Sequence, residues 1–245
     1  MITVDEVIRR SEQGVSRPFL CKCDDGHLYY VKGRGTGYQT LVKEIVSAAL
    51  GHAFELPVPH YAVIQIPSEL VTGSSFPEIY DLGIGPAFGS RAVTMPEEFS
   101  DGHIAEVPPN LRSRLFIFDW WIMNGDRTLV EGAGNPNLLW TPLDNKMHVI
   151  DHTCAFDPEF NLRDFLQGHV FRKDRINTLN NEFRLKTEGV MRDILETISS
   201  IWAKIPGEWT NSDVFLNPAS MLDENRIRTI LSRFKKPDFW NILNS

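Results

Sequence analysis

The spacing of apolar residues changes along the chain, from the alternation typical of strands to the wider repeat typical of helices. The segment RPFLCKCDDGHLYYVKG predicts two strands around a turn at Asp25-Gly26, because an Asp-Gly pair between β-rich runs is a strong hairpin signal. Apolar residues then recur three and four positions apart from Tyr38 to Leu50, which predicts a helix that Gly51 closes. Residues 3–12 fit either a short helix or a strand.

The pattern continues with a strand at HYAVIQIP and one more near residues 89–94, inside a loop-rich stretch. PNLRSRLFIFDWWIM is apolar nearly all round toward its end, as expected of a buried helix with Trp120 and Trp121 in the core. NLLWTP and KMHVID predict a strand pair around Asp144-Asn145, and amphipathic helices follow from about residue 173. A β-rich first third and a mainly helical remainder predict an α+β fold, not alternating βαβ units.

Composition narrows the classes of protein to consider. At 245 residues the chain can form one domain or two closely packed lobes. Its formal net charge of −7 argues against a direct nucleic-acid partner, since such proteins usually present a basic field. Cys21, Cys23 and Cys154 make neither a disulfide framework nor a complete zinc site, so we expect reduced thiols in a cytoplasmic protein. No stretch approaches about 18 uninterrupted apolar residues, so we expect no membrane span.

Two oppositely charged residues are spaced so that a strand and the next helix could present them together. Lys32 ends the strand HLYYVK, from which it can project a fixed cation into a cleft. Glu44 follows twelve residues later on the predicted helix, off its apolar stripe. A strand lysine held by a helix glutamate is how protein kinases fix the cation that contacts nucleotide phosphates. The alternative interpretation is that both are solvated surface charges.

Three more polar residues follow the buried helix. Asp126 comes directly after it, where a loop carboxylate can accept a proton from an attacking hydroxyl, although Asn124-Gly125 with Asp126 is also an ordinary turn. Asn137 precedes one predicted strand and Asp151 ends the next, and amide and carboxylate oxygens are suitable ligands for Mg²⁺ on a triphosphate. A strand Lys, a helix Glu, a loop Asp, an Asn and a strand-end Asp, in this order, are the parts of metal-assisted phosphoryl transfer.

Several segments resemble a known family. FDWWIMNGDR, NPNLLW and HVIDHTCAF together resemble the catalytic segment of the HipA-like kinases, and also the related phosphatidylinositol 4-kinase type. YYVKG with VKEIVSAALGHAFELPVP resembles the lysine strand and helix of HipA-like proteins. GVSRPFLCKCDDGHLYYVK resembles the phosphate-covering loop of the compact, free-standing members. The resemblance covers residues 12–160, and its specificity lies in the order of the motifs.

The resemblance implies a two-lobed protein-kinase-like fold that binds ATP and Mg²⁺ between its lobes. The expected parts are an N-lobe at residues 1–70, an interlobe connection at 71–107 and a C-lobe at 108–245. Arg91, within FGSRAV, is a further candidate for the interlobe strand that contacts adenine. The implied roles are phosphate binding by Lys32, held by Glu44; proton acceptance by Asp126; metal binding by Asn137 and Asp151; and cover over the phosphates from Gly14, Ser16 and Arg17.

The sequence departs from the family pattern at two places. Asp126 and Asn137 stand eleven residues apart, whereas kinase catalytic loops place the equivalent pair about five apart. The inserted LVEGAG can loop out at low entropic cost, but it leaves Asn135 as a rival metal ligand. The usual DFG reads DHT here, which puts an activation switch of the ordinary kinase kind in doubt.

The acceptor of the phosphoryl group is open at this point. A protein Ser or Thr hydroxyl is the first choice by resemblance, and a small molecule or lipid headgroup is the alternative. A nucleotide-binding pseudokinase that acts as an interaction module, or an adaptor without nucleotide, are the other hypotheses. HipA toxins pair with a separate antitoxin chain, so such a partner is possible. GRGTG lacks the end of a Walker motif and predicts only a flexible connection.

Overall fold

The computed structural model describes residues 1–12, 16–76, 78–130, 134–211 and 221–241. Within these ranges the chain contains both helices and strands, as the sequence predicts. The candidate phosphate-covering residue Gly14 lies outside the described residues.

The first part of the chain forms a small closed barrel. Its strands are β1 (Ile2–Arg10), β2 (Phe19–Cys23), β3 (Leu28–Lys32), β4 (Tyr61–Ile66) and β5 (Gly85–Arg91). They follow the order β1-β2-β3-β5-β4, and the barrel closes where β1 pairs with β4 in parallel. The segment 3–12, which fits a helix or a strand from its sequence, lies mostly in β1.

The predicted hairpin between β2 and β3 is confirmed. Cys21 lies opposite Tyr29 in the antiparallel register, and both side chains are buried inside the barrel. Gly26 turns the chain with φ of +79°, a conformation that side chains other than glycine rarely adopt. Tyr29 and Val31 fill the barrel, so the alternation along β3 places its last residue, Lys32, on the outer face of the barrel, where it is buried by other parts of the chain.

The helix α1 (Tyr38–Ala53) follows β3 and continues past the predicted stop at Gly51. That prediction is wrong because Gly51 serves packing. A Cβ added there would lie 2.8 Å from Val58 Cγ2, so only glycine allows the following turn to pack this closely. The apolar face of α1 joins the larger hydrophobic core of the C-terminal part, through residues such as Leu41 and Leu50.

The last barrel strand lies earlier than expected. The sequence predicts a strand near 89–94, whereas β5 spans Gly85–Arg91 and pairs with both β3 and β4. It therefore lies inside the segment 71–107 that the sequence suggests as a connection. Pro86, which has no N–H to donate, fits within it because it precedes Phe88, where the pairing of β5 with β3 begins. Its carbonyl accepts a hydrogen bond from Trp209 Nε1. A short helix, α2 (Ser68–Thr72), was not predicted.

The predicted buried helix and the strand pair after it are confirmed. The helix is α3 (Pro109–Ile122), in which Phe118 and Trp121 are fully buried. The strands β7 (Leu138–Thr141) and β8 (Lys146–Val149) form a three-stranded sheet with β6 (Glu97–Glu98), in the order β6-β7-β8.

The remainder of the described chain is helical. It begins with a short helix at Leu162, before the predicted residue 173, and residues 172–179 form a 3-10 helix. The long helix starts after the cap Asn180, whose side chain accepts the Glu182 N–H at 2.8 Å. No helix among the described residues is long and apolar enough to cross a membrane. The helices are α4 (Leu162–Gly168), α5 (Asn181–Trp202), α6 (Gly207–Asn211), α7 (Glu224–Leu231) and α8 (Pro237–Asn241).

The buried apolar residues form two clusters. The smaller one fills the barrel, with Val31 and Ile64 at its centre. The larger one joins α1 and α3 to the three-stranded sheet and the C-terminal helices. Because α1 belongs to the larger cluster while the strand before it belongs to the barrel, Lys32 and Glu44 come from two differently packed parts of the chain.

Candidate active site

A cleft of about 860 Å³ is lined by residues of the barrel, of α1 and of the three-stranded sheet. Its walls include apolar side chains, such as Val58, Phe88 and Leu138. They also include charged side chains, among them Lys32 and Asp151. The cleft therefore offers both apolar surface and charge to a ligand.

Lys32, Glu44 and Asp151 form a buried group, which we call the cleft cluster. Lys32 Nζ pairs with Glu44 Oε1 and lies 3.0 Å from Asp151 Oδ1. The side chain of Lys32 is 7% exposed and that of Glu44 is 2% exposed, so the alternative that they are solvated surface charges is wrong. The side chain of Asp151 is 26% exposed, which opens the cluster to the cleft.

Glu44 also fixes the chain that carries Asp151. Its second oxygen, Oε2, accepts a hydrogen bond from the backbone N–H of His152 at 3.2 Å. Burial alone would neutralise Glu44, but the charge of Lys32 and the contact with His152 hold its pKa well below its usual range. Burial likewise opposes the charge on Lys32, yet Glu44 and Asp151 raise its pKa. The pair is therefore ionised, and it ties β3, α1 and the segment after β8 together.

Asp126 and Asn137 are hydrogen-bonded to each other despite the insertion between them, and Asn137 lines the cleft. Asn137 Nδ2 donates to Asp126 Oδ2 at 2.9 Å. The other carboxylate oxygen, Asp126 Oδ1, is buried and has no partner within hydrogen-bond distance among the described residues, while the Cys154 thiol interacts with the carboxylate more weakly. Burial raises the pKa of Asp126 above its usual value, and the nearby charges of Asp151 and Asp119 act in the same direction. An unpaired oxygen on a carboxylate of raised pKa is suited to accept a proton.

Asn137 and Asp151 share an unusual backbone conformation. Both are left-handed, with φ of 48° and 54°. Asn and Asp adopt this region more readily than other side chains, although it still costs energy. Asp151 does not end a strand as predicted, since β8 stops at Val149 and the bend at Asp151 follows two residues later. Asp151 Oδ1 accepts from the N–H and hydroxyl of Thr153 at 3.2 and 2.9 Å, which stabilises this bend.

A second buried group, the sealed cluster, lies behind Asp126 and consists of Asp119, Arg127 and His169. Arg127 Nε donates to Asp119 Oδ2 at 2.8 Å, and both side chains are 0% exposed. His169 Nε2 lies 3.0 Å from the same oxygen, while His169 Nδ1 accepts the Phe171 N–H at 3.0 Å. Since the amide can only donate, Nε2 carries the ring proton and donates to Asp119. Asn124 Nδ2 donates to the other oxygen of Asp119 at 3.0 Å.

The charges of the sealed cluster follow from its packing. Burial disfavours an ionised Asp119, but Arg127 and His169 hold its pKa at about 2. Burial lowers the pKa of His169, which is therefore neutral near pH 7. One carboxylate and one guanidinium thus face each other without water, a pairing in which loss of either partner is costly.

Arg127 connects the sealed cluster to both candidate metal ligands. Its Nη1 donates to the carbonyl oxygens of Asn137 at 2.6 Å and of Ile150 at 3.2 Å. It also reaches the Pro136 carbonyl at 3.1 Å. Because Ile150 directly precedes Asp151, one buried guanidinium holds the backbone of both bends at the mouth of the cleft.

Other predicted residues lie away from this centre. Ser16 lines the cleft. Arg17 lies beside it, in a smaller cavity of about 300 Å³, where its Nη1 is 3.4 Å from Glu78 Oε1. Arg91 lines the cleft wall and lies 2.7 Å from the His27 ring. The side chain of Asn135 accepts the backbone N–H of Asn137 at 3.1 Å, so its observed contact stabilises a turn.

The connection GRGTG is a packed turn, in contrast to the flexible link expected. Residues Arg34–Thr36 form a 3-10 turn. A Cβ added to Gly33 would lie 1.9 Å from the Leu82 carbonyl oxygen, and one added to Gly35 would lie 2.7 Å from that of Asp81. The glycines are needed because two backbone segments approach each other here. The turn thereby fixes the direction in which the chain leaves Lys32.

Sequence reasoning missed the sealed cluster, although one signal was present. Asp119 interrupts the apolar run LFIFDWWIM, and a carboxylate inside a buried helix requires a partner. Arg127, which follows Asp126 shortly after this helix, is the candidate for that partner in the sequence. His169 lies fifty positions from Asp119 along the chain, and no sequence pattern links the two.

Comparisons with known proteins identify the family of this chain. The family model described as HipA-like kinase matches residues 4–243. No curated protein sequence matches the chain significantly. In structure, the chain is similar to the Helicobacter pylori proinflammatory kinase CtkA, with a TM-score of 0.49 and 11% identity over 97% of this chain and 94% of that chain. Since the family model covers nearly all of the residues, this chain belongs to the HipA-like kinases.

Proposed function

We propose that this chain is an ATP- and Mg²⁺-dependent kinase that transfers the γ-phosphoryl group to a Ser or Thr hydroxyl of a protein. Membership of the HipA-like kinases supports phosphoryl transfer. The observation that carries the finer proposal is the pairing of Lys32 with both Glu44 and Asp151, together with the Asp126–Asn137 contact. These five side chains are the ones that the chemistry needs. Four of them line the cleft, and the fifth, Asp126, is hydrogen-bonded to Asn137 of that lining.

The proposed architecture is two-lobed and protein-kinase-like. Residues 1–70, completed by β5 from the segment 71–107, would form the lobe that binds the nucleotide phosphates. Residues 108–245 would form the lobe that carries Asp126 and the metal ligands. Adenine would occupy the part of the cleft beside Val58, Phe88 and Leu138, where burial of its faces is favourable. The phosphates would then lie toward Lys32.

The donor set fits a magnesium ion carried by ATP. Asn137 keeps its Oδ1 available because its contact with Asp126 uses Nδ2, and Asp151 keeps Oδ2 available because its recorded contacts use Oδ1. Both are oxygen donors, and Mg²⁺ usually takes only one or two protein ligands together with phosphate oxygens. When bound, the ion supplies neutralisation of the charge on the phosphates. Asn137 and Asp151 would hold it, with Asn135 as the support of Asn137.

Asp126 would act on the acceptor. The free oxygen Oδ1 can accept a hydrogen bond from the attacking hydroxyl and take its proton as the new P–O bond forms. Lys32 would stabilise the negative charge on the phosphates, and Glu44 would keep Lys32 aimed at them. Arg127 would keep the backbone of Asn137 and Ile150 in place, as a positioning residue.

Phosphate transfer from γ-labelled ATP tests the proposal. We would offer wild type and Asp126→Asn a library of Ser- and Thr-containing peptides and, in parallel, lipid headgroups and small alcohols. Wild type should label peptides, and Asp126→Asn should lose roughly 100- to 10,000-fold in rate while it still binds nucleotide. Labelling of lipids or small molecules alone would show that the acceptor belongs to that class and is not a protein. Nucleotide binding without any transfer in wild type would support a pseudokinase and contradict the proposal.

A further inference from the structure

A second concave surface, which we call the basic hollow, lies on the C-terminal part of the chain. It is an open hollow of about 760 Å³ between α4 and the 3-10 helix 172–179. No acidic residue is among those that line it. Its lining includes two leucines, Leu162 and Leu166, and four cations: Arg163, Arg172, Lys173 and Arg175.

The cations of the basic hollow are not neutralised by the part of the chain that the structure describes. Among the described residues, ion pairs join Arg112 to Asp174 and Arg184 to Glu188, but none involves the four cations of the hollow. Arg163 and Lys173 are exposed. Four like charges without counter-charges repel one another, and the chain as a whole carries −7. The hollow is therefore a local reversal of charge that an anion would stabilise.

The basic hollow is joined to the loop that carries Asp126. Arg172 Nη1 donates to the Leu129 carbonyl at 2.9 Å, and Leu129 lines the cleft. The Leu129 N–H donates to the Gly168 carbonyl at 3.1 Å, and the Val170 N–H donates to the Arg127 carbonyl at 3.0 Å. The wall of the hollow and the Asp126 loop are thus bonded to each other directly. Leu129 is three residues from Asp126, which limits their Cα separation to about 10 Å.

We infer that the basic hollow binds an acidic segment of the protein whose hydroxyl is phosphorylated. This inference rests on the proposed function, because it specifies the acceptor of the same site. An extended peptide advances about 3.3 Å per residue, so a side chain in the hollow would belong to a residue several positions from the acceptor hydroxyl. Glu or Asp there would meet Arg163 and Lys173, and the aliphatic parts of the segment would cover Leu162 and Leu166.

The shape of the hollow favours a peptide over a nucleic acid. A nucleic acid is bound through a long basic stripe that follows its backbone. Here the cations and two leucines line one compact hollow, and the net charge of −7 disfavours a long polyanion. A short acidic segment matches both the size of the hollow and its mixture of cations and apolar side chains.

Binding of labelled peptides tests the inference without requiring catalysis. The probe is a fluorescein-labelled peptide that contains one Ser and a group of three Glu residues, which lies about four positions along the chain from the Ser. The matched probe has Gln in place of each Glu. By fluorescence anisotropy at low salt, wild-type full-length protein should bind the Glu peptide about tenfold more tightly than the Gln peptide. Added salt should remove most of this difference, because the charges are exposed.

A charge-reversal variant locates the binding surface. Arg163→Glu/Lys173→Glu should weaken the Glu peptide about tenfold or more and leave the Gln peptide unchanged. The matched control, Lys22→Glu/Lys204→Glu, changes the net charge equally at exposed lysines outside the hollow and should retain binding. If the double variant does not fold, Arg163→Gln replaces it, with a smaller loss expected.

Several outcomes would overturn the inference. These are equal affinity of wild type for the Glu and Gln peptides, equal weakening by the control variant, or displacement of the Glu peptide by a single-stranded RNA of equal charge at lower concentration. The proposed function is judged separately, by stabilisation with Mg–ATP and by phosphate transfer in the same preparations. If wild type binds the Glu peptide but transfers no phosphate, the inference about the docking surface is retained and the proposed kinase activity is rejected.

Discussion

The cleft cluster and the sealed cluster contain similar groups, but only one of them reaches the cleft. Each has a buried carboxylate paired with a buried cation: Glu44 with Lys32, and Asp119 with Arg127. In the cleft cluster, Asp151 is 26% exposed on its side chain. In the sealed cluster, Asp119 and Arg127 are 0% exposed. The same kind of ion pair can thus be part of a binding site or part of the frame around it.

This difference in exposure predicts which property of the protein a substitution in each ion pair should reduce first. A sealed pair has no ligand to bind, so its alteration should first reduce stability. A pair at the cleft can exchange part of its contacts with a ligand, so its alteration should first reduce ligand binding and turnover. Arg127 joins the two, because its guanidinium holds the backbone at Asn137 and Ile150.

The largest expected change in stability comes from removing Asp119. Asp119→Ala leaves Arg127 buried without a counter-charge and removes the acceptor of the Asn124 and His169 hydrogen bonds. We expect a loss of about 3–5 kcal/mol in the free energy of unfolding, measured by urea denaturation. Glu188→Ala, which breaks a half-exposed pair with Arg184, is the control and should cost less than about 1 kcal/mol. A loss of similar size in both variants would contradict the account.

In the cleft cluster, stability and activity should separate. Lys32→Met leaves Glu44 buried and unpaired, so we expect a loss of about 3 kcal/mol in the free energy of unfolding, together with loss of turnover. Lys32→Met/Glu44→Gln removes the unpaired charge and should recover part of that stability, but no turnover. Recovery of phosphate transfer in the double variant would show that Lys32 does not contact the phosphates.

The two asparagines of the loop should differ in their effect on turnover. Asn137→Ala removes a proposed metal ligand, and we expect turnover to fall roughly 100-fold or more. Asn135→Ala removes only a hydrogen bond to the Asn137 backbone, and we expect a loss of about 1 kcal/mol in stability with a smaller fall in turnover. Titration with Mg²⁺ at fixed ATP separates them, since only Asn137→Ala should need more metal. The reverse order would make Asn135 the ligand.

The sealed cluster should also make stability depend on pH. The pKa of Asp119 is lowered to about 2, so its contribution is complete above the ordinary value near 3.8 and is lost as pH falls toward 2. The pKa of His169 is lowered by burial, so unfolding gains a proton below about 6.5 and stability falls there as well. We expect thermal midpoints to fall as pH decreases from 7 to 5, and His169→Gln to flatten this decrease. An unchanged decrease would assign the effect to other groups.

Much of the fold follows from local sequence patterns. The hairpin at Gly26, the buried helix α3 and the strand pair around Asp144 are each determined by residues close together in the chain. The extension of α1 past Gly51 could not be predicted, because the reason is contact with Val58 in the next turn. The early start of β5 likewise reflects its pairing with β3 and β4.

The sequence predicts a set of candidate site residues but not the contacts between them. The order of Lys32, Glu44, Asp126, Asn137 and Asp151 predicts phosphoryl transfer, which remains a prediction, and the structure places Lys32 and Glu44 in a buried pair. The burial of Glu44 depends on how α1 packs against the C-terminal core, which a helical stripe does not reveal. The link from Arg127 to the Asn137 and Ile150 carbonyls depends on backbone geometry, which no residue pattern encodes.

Thermal unfolding with and without Mg–ATP tests the central claim most directly, with wild type and Asp151→Asn measured side by side. A ligand present at 100 times its dissociation constant stabilises the folded state by about 2.7 kcal/mol. We predict a shift of several degrees in wild type that requires magnesium and is much reduced in Asp151→Asn. No shift at millimolar Mg–ATP, or an equal shift in both proteins, would contradict the assignment of this cleft as the nucleotide and metal site.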